Sequence, residues 1–536
     1  MKLTKEGLKN KEEWRSKGYR VSSYDRDAVT AATKEDPEWI HFGAGNIFRA
    51  FQADLMEELL EKGLSKTGLI AAEGFDYEII DKMYRPHDNL GIAVTLCADG
   101  KIKKAVLSSI VESLTVNPDC AEDYSRLKEI FASKSLKMVS FTITEKGYSL
   151  TDASGNTAAS VAADFEKGPN GANSYMGKVS ALLYERFKAG ALPVAMVSMD
   201  NCSHNGDKLF AAVSAYAKEW CDRGLADKGF LTYVTDASRV SFPWSMIDKI
   251  TPRPDAGVEK MLLQDGIEGL EPVITSKNTY VAPFVNAEES QYLVIEDSFP
   301  AGRPALDRVG VIFTDRTTVD KVEKMKVCTC LNPLHTALAV YGCLLGYTLI
   351  SKEMQNPLLK RMVEIIGYDE GLPVVVDPGV IKPKDFIDEV VNVRIPNPFM
   401  PDAPQRIATD TSQKLPIRFG ETVKAYIARP DLDVRRLKLI PLVFAGWLRY
   451  LMGRDDTGAE FTLSSDPLLQ KLVPVMSKVS FGDEDIHDTV APILSDASIF
   501  GVDLYEAGLG EITENYFKEL IKGPGAVEAV LKKYIH

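Results

Sequence analysis

Residues 39–63 read WIHFGAGNIFRAFQADLMEELLEKG, and the order of the parts decides the fold class. WIHF (39–42) is an apolar run with the length of a short buried strand. After the turn GAGN, apolar side chains recur at three- and four-residue spacing through Phe48, Phe51, Leu55, Leu59 and Leu60, which predicts a helix. Gly63 stands where helices commonly end on a left-handed glycine. Strand, glycine turn and helix open a dinucleotide-binding fold, in which a pyrophosphate meets backbone N–H groups and the positive end of the helix dipole. A G-x-G pair also fits a plain tight turn, and Phe48 replaces the third glycine of the usual G-x-G-x-x-G.

Outward from this stretch, further apolar runs of strand length are GLIAAEGFD (68–76), IAVTL (92–96), MVSFTIT (138–144), PVAMVSM (193–199) and FLTYVT (230–235). Helical patterns separate several of them, which predicts a parallel α/β sheet. TYVAPFVNAEESQYLVIED (279–297) reads as added β structure. After about residue 317 helical periodicity dominates. The fold class expected is α/β. A Rossmann-like domain with an N-terminal extension covers 1–316, and a mostly α-helical domain covers 317–536.

A chain of 536 residues is too long for one ordinary core. Its 45% hydrophobic and 26% charged content is that of a soluble globular protein. MKLTKEGLKNKEEWRSKGY (1–19) has no apolar h-region and does not read as a signal peptide. No apolar stretch is expected to reach the ~20 residues of a membrane span, and TALAVYGCLLGYTLI (336–350) reads as a buried helix. Seven irregularly spaced cysteines argue for reduced thiols and a cytoplasmic setting. A net charge of −13 argues against nucleic acid or an anionic membrane as partner. It leaves room for an acidic small molecule, because a pocket can be locally basic.

Several polar clusters follow apolar runs. Glu73 or Asp76, past the second strand, could take the adenosine ribose hydroxyls and repel a 2′-phosphate; Asp76 could also simply face solvent. SMDNCSHNG (198–206) sits where open α/β sheets bind ligands, but Asp and Asn there also suit an Asx turn and a helix cap. His204 reads as structural. Glu145 and Asp248 lie just past apolar stretches, and Arg394 in RIPNPF suits a carboxylate as well as a surface ion pair. In KVCTCLNPLH (326–335) the C-x-C pair is a poor zinc site, lacking a second C-x-x-C or spaced histidines. Lys326 in an apolar setting is the more suggestive residue, because burial can bring a lysine into base chemistry near neutral pH.

These stretches together resemble the polyol-specific long-chain dehydrogenases and reductases, the family that includes mannitol 2-dehydrogenases, fructuronate reductases and tagaturonate reductases. G-x-G-x-x-x-R-A matches Gly43, Gly45, Arg49 and Ala50, and T-x-T-E-x-G-Y matches 142–148. S-x-D-N-x-x-x-N-G matches Ser198, Asp200, Asn201, Asn205 and Gly206. S-M-x-D-x-I-T-P falls at 245–252 and R-x-x-N-P at 394–398, so the motifs run in order over roughly 38–420.

The resemblance implies NAD-dependent hydride transfer between a secondary alcohol and a ketone, without metal. It implies Lys326 as acid/base, Asn201 and Asn332 on the substrate oxygen, and His335 as orienting group. Arg394 and Lys414 would hold the substrate, with Arg418 an alternative to Lys414. Gly43, Gly45, Asn46, Arg49, Glu73, Asp76 and Asp248 would hold the cofactor. VIEDSFPAGRPALDRVGVIF (294–313) and DTSQKLP (410–416) look closest to fructuronate reductases, which interconvert D-mannonate and D-fructuronate. Tagaturonate reductase and mannitol 2-dehydrogenase activities are the alternatives. The expected partner is therefore a small sugar acid or polyol, and the expected state a monomer or small homo-oligomer.

One spacing departs from the family. Its signature is K-x(4)-N-x-x-H, whereas Lys326 and Asn332 are related as K-x(5)-N. In a regular α-helix this puts Lys326 and His335 roughly 180° apart instead of roughly 80°. Either the helix widens locally within 327–331, or the lysine register is lost and the chain is a non-catalytic NAD-binding regulator.

Overall fold

Trp39–Phe42 is the strand around which the first half of the chain is built. We label it β1 and the strands that extend its sheet β2 (Leu69–Glu73), β3 (Ile110–Thr115), β4 (Met138–Phe141), β5 (Val194–Ser198) and β6 (Val240–Ser241). The computed structural model, which describes residues 1–535, orders them β3-β2-β1-β4-β5-β6 with every neighbouring pair parallel. This is the doubly wound order, with its topological switch beside β1.

Strands of this sheet are apolar on both faces because both faces are covered. Ile40, Phe42, Val139 and Phe141 enter one core, whose helices include Tyr175–Lys188 and Asn205–Asp222. Trp39, Met138, Ala195 and Val197 enter the other, against Ala53–Glu61. Gly63, at φ +65°, closes that helix: its N–H donates to Leu60 O (3.0 Å), and that of Leu64 to Leu59 O (2.8 Å).

Three readings of the sequence change here. FLTYVT is a helix, Gly229–Thr235, because Phe230, Tyr233 and Val234 bury one face at i, i+3 and i+4. IAVTL belongs to a strand, Gly91–Leu96, but in a separate four-stranded sheet where it runs antiparallel to Ile102–Leu107. β3 was not anticipated: Glu112 interrupts its apolar run and is tolerated because Arg126 Nε donates to it (2.8 Å). The added β structure is present as Tyr280–Val281, Phe284–Glu288 and Tyr292–Glu296, spread over three smaller sheets.

The chain divides into two compact units, Met1–Asp320 and Lys321–His536. In the second unit Asn332–Leu344 and Leu439–Leu451 are central helices, and the latter is buried along its whole length. They approach closely because Gly446 leaves room for the Tyr341 ring, whose hydroxyl donates to Leu442 O (2.8 Å). Glu370 caps Leu439–Leu451 by accepting from the N–H groups of Lys438, Leu439 and Ile440 at 2.6–2.8 Å. The helical run Arg316–Leu344 has the length and apolarity of a membrane span, contrary to the expectation that no stretch would, but 78% of its apolar window is buried inside the protein.

Glu353 is fully buried against Gly342, and neither carboxyl oxygen has a hydrogen-bond partner. Burial pushes its pKa from 4.5 up to about 9. The folded state therefore holds this proton more tightly than the unfolded chain does. Its stabilising effect is complete below about pH 4.5 and is lost as pH rises through about 9. Glu353→Gln, which cannot ionise, should melt at the wild-type temperature near pH 4 and a few degrees (about 2–4 °C) higher near pH 9. Thermal melts at the two pH values check this, and equal melting temperatures at pH 9 would contradict it.

Candidate active site

The glycine turn is built by close contacts at one glycine and open space at the other. Gly43 has φ +105°, and a Cβ there would collide with the carbonyl of Thr142 at the end of β4. At Gly45 a Cβ would meet nothing within 4 Å, so the backbone is open to a group as large as a phosphate. Helix begins immediately afterwards, at Asn46. The usual third glycine is Phe48, fully buried with its ring stacked on His41 (4.3 Å between centroids, 4° between planes). This bulk accompanies a π-helical turn at Phe48–Gln52.

The candidate ribose readers have different surroundings. Glu73, at the end of β2, accepts from Ala44 N (2.9 Å) inside the glycine turn and from Phe75 N (2.8 Å) and Asp76 N (3.1 Å). Asp76 is 2% exposed and accepts from Thr275 Oγ1 (2.6 Å), which docks the hairpin formed by Val273–Ile274 and Tyr280–Val281. It does not face solvent. Arg49 also needs correction as a phosphate contact. It is 2% exposed and donates to Ala282 O (2.7 Å) and to Asn46 Oδ1 (3.0 Å), so it orients Asn46 from within.

Two of the sequence motifs prove to be one hydrogen-bonded assembly. Asp200 accepts from Ile143 N (3.0 Å), Thr144 N (2.8 Å) and the Tyr148 hydroxyl (2.5 Å). These bonds hold Thr144 at φ +62°, a conformation that is strained for a β-branched residue. Asn205 then bridges onward, donating to Asp200 O and Ser245 O (both 3.0 Å) while accepting from Ser245 N (3.0 Å). Asn201, which follows Asp200, is exposed. Asp248 is buried in the strand Ser245–Asp248, while Glu145 is exposed and paired with Lys208 (2.9 Å). His204 stacks on Trp244, 4.1 Å away, as a structural residue.

In the second unit, the widening expected within 327–331 is present. Lys326–Cys330 is a π-helical turn, closed by a bond from Leu331 N to Lys326 O (3.1 Å). The wide turn accommodates one residue more than a regular α-helical turn, and Leu331 (φ −129°, ψ −61°) separates it from the helix that starts at Asn332. Lys326 is 3% exposed. Asn332 starts the following helix and His335 lies one turn on. Arg418, itself in a π-helical turn (Pro416–Gly420), donates to Asn332 O (3.3 Å) and Thr336 Oγ1 (2.6 Å). Arg394 ends another such turn, Val390–Arg394, and is 3% exposed.

His335 is held neutral. Burial lowers its pKa to about 4; Asp402 opposes the shift, and the positive charges of Arg394, Arg418 and Arg406 reinforce it. Three guanidinium groups against the one carboxylate of Asp402 make the surroundings of His335 net positive, which suits an anion. Lys414 is held by the backbone. Its ammonium donates to the carbonyls of Ile407 (2.9 Å) and Thr409, and burial lowers its pKa to about 8.

Asp402 and Arg406, an ion pair four residues apart in PDAPQR (401–406), were not singled out from sequence. The i, i+4 spacing directly after R-x-x-N-P is the signal that could have found them. Cys330 is buried with its thiol pushed up to about 12, as fits a packing residue. Among the described residues no group of three or more His, Cys, Asp or Glu is placed to hold a metal ion.

The chain matches the mannitol dehydrogenase Rossmann domain over residues 37–308 and the mannitol dehydrogenase C-terminal domain over 318–520. It is 54% identical to a D-mannonate oxidoreductase of Thermotoga maritima, over 100% of this chain and 99% of that protein. Among solved structures, the mannitol 2-dehydrogenase of Pseudomonas fluorescens, in ternary complex with NAD and D-mannitol, superposes with a TM-score of 0.70 at 25% identity, covering 99% of each chain. A D-sorbitol dehydrogenase shares the fold, with a TM-score of 0.77 at 24% identity over 96% of this chain and 97% of that one. The two domain matches in sequence, and a relative identical at more than half of the positions along the whole chain, place this protein in the mannitol dehydrogenase family.

Proposed function

We propose that this protein is an NAD-dependent oxidoreductase of sugar acids, interconverting D-mannonate and D-fructuronate. The observation that carries the reading is the end-to-end 54% identity to a D-mannonate oxidoreductase. The positive charges of Arg394, Arg406 and Arg418 near His335, against the single carboxylate of Asp402, support an acid over a neutral polyol.

In this reading the open backbone at Gly45, with Asn46 beside it, holds the pyrophosphate, and Glu73 stands at the ribose. Asp76 and Arg49 act behind these groups. Asp248 belongs to the wall of the cofactor site. The bound nicotinamide supplies the hydride acceptor and donor. Lys326 takes the alcohol proton as the hydride leaves carbon, and returns it to the ketone oxygen in reduction. Asn332 and Asn201 donate hydrogen bonds to that oxygen and stabilise its developing charge. His335, neutral at working pH, bonds a neighbouring hydroxyl, and Arg394 with Arg418 pairs with the carboxylate.

D-mannonate with NAD+ should give steady formation of NADH, read as absorbance. D-fructuronate should be reduced faster with NADH than with NADPH, and a chelator should leave both rates unchanged. Equal or better reduction with NADPH would remove Glu73 as ribose reader, and loss of activity with the chelator would remove the metal-free mechanism.

A further inference from the structure

The separate four-stranded sheet of the first unit carries a concave site of its own. Its strands lie in the order Tyr19–Arg20, Ile102–Leu107, Gly91–Leu96 and Phe284–Glu288. Successive residues of a strand point to opposite faces, so each strand sorts its side chains between two surroundings. On one face Ile92, Val94, Val106 and Phe284 are buried in ordinary apolar packing. On the other, the register sets Ala105, Ala93 and Val285 in one row across three strands. Lys103, Thr95 and Ala287 form the next row.

This second face is short of bulk. Ala50, from the π-helical turn Phe48–Gln52, packs on Val285 and Ala287 and covers part of it. Beyond Ala50 the alanine side chains are too small to fill the layer, and a cleft of about 560 Å³ opens over them. Small-molecule sites span roughly 300–1,000 Å³. None of the described residues that line the cleft is one assigned above to cofactor or substrate.

The rim is polar and carries both signs of charge. Arg20, beside Ala105 on the edge strand, pairs with Asp54, and Lys103 pairs with Glu289. Lys249 donates to Glu288 O (3.0 Å) and Gln291 Oε1 (2.9 Å), and Lys104 is held by Asp265 (2.7 Å). Four cations therefore border the cleft against the carboxylates of Asp54 and Glu289, with Asp265 behind them, in a chain of net charge −13. Each ion pair sets a donor and an acceptor side by side. A hydroxyl group is both at once, so a polyhydroxylated molecule can bond to the pairs without breaking them. Thr95 adds a hydroxyl in the middle of the floor, the alanines take the C–H face of such a molecule, and the excess of cations suits an acid group on it.

We propose that this cleft binds a small polyhydroxylated anion, a sugar acid or a sugar phosphate, outside the residues assigned to catalysis. The assignment stands independently of the functional reading above, because it uses none of that reading's residues.

The test is a calorimetric titration of the full chain with D-gluconate and with D-glucose 6-phosphate, which separates the two sources of the anion, and with neutral D-glucitol. At least one anion should bind, and D-glucitol should bind at least about tenfold more weakly. Ala93→Phe fills the cleft above its floor, and Lys103→Glu inverts one charge on its rim. Each should raise the Kd of the bound anion at least about tenfold. Lys103 is exposed, so Lys103→Glu keeps the test open if Ala93→Phe does not fold. Binding of neither anion, or D-glucitol bound as tightly as the anions, would overturn the assignment. A wild-type Kd in the folded variants would overturn it as well and move the bound anion to the catalytic site.

Discussion

Lys326→Ala is expected to lower kcat for D-fructuronate reduction by about 10²–10⁴, the range for a lost general acid. The Kd for NADH should stay within about twofold of wild type, because the cofactor groups proposed here are carried by residues 43–76 and 248. The reason for so large an effect is position. Lys326 is 3% exposed at the start of the π-helical turn that precedes Asn332 and His335. A turn of that kind costs regular helix geometry, and such turns recur where function needs a displaced side chain. Near-normal turnover in Lys326→Ala would remove the mechanism and return the non-catalytic alternative.

The second large effect is expected at Arg418. Arg418→Met should lower kcat/KM for D-fructuronate on the order of 10²-fold, the scale of truncating one partner of a buried charge pair. Reduction of D-fructose, which has no carboxylate, should change by less than about threefold. The comparison matters because Arg418 also donates to Asn332 O and Thr336 Oγ1, so general damage to the site would lower both substrates together. Parallel losses for the two sugars would make Arg418 a support for Asn332 and leave the carboxylate to Arg394.

Much of this was legible before any coordinates. The alternation of β1, glycine turn and helix is written in residues 39–63, and Gly63 ends the helix as its position suggested. The extra residue between Lys326 and Asn332 predicted a widened turn, and Lys326–Cys330 is one. What was not legible depends on partners distant in sequence. The guanidinium of Arg49 meets the carbonyl of Ala282, 233 residues away in the chain, and the ammonium of Lys414 those of Ile407 and Thr409, contacts that no spacing in the sequence announces. Asp76 could not be separated from Glu73 without Thr275, and β3 was hidden because a charge in its middle finds Arg126. FLTYVT fits either period over so short a run, and only its burial on one helical face decides.

The central claim is that the protein reduces a carboxylated ketose, and one measurement addresses it most directly. NADH oxidation should be followed with D-fructuronate, D-tagaturonate and D-fructose in parallel under identical conditions. The account predicts the highest kcat/KM for D-fructuronate, exceeding D-fructose by at least about 10²-fold through its carboxylate. A kcat/KM for D-fructose equal to or above that for both sugar acids would contradict it.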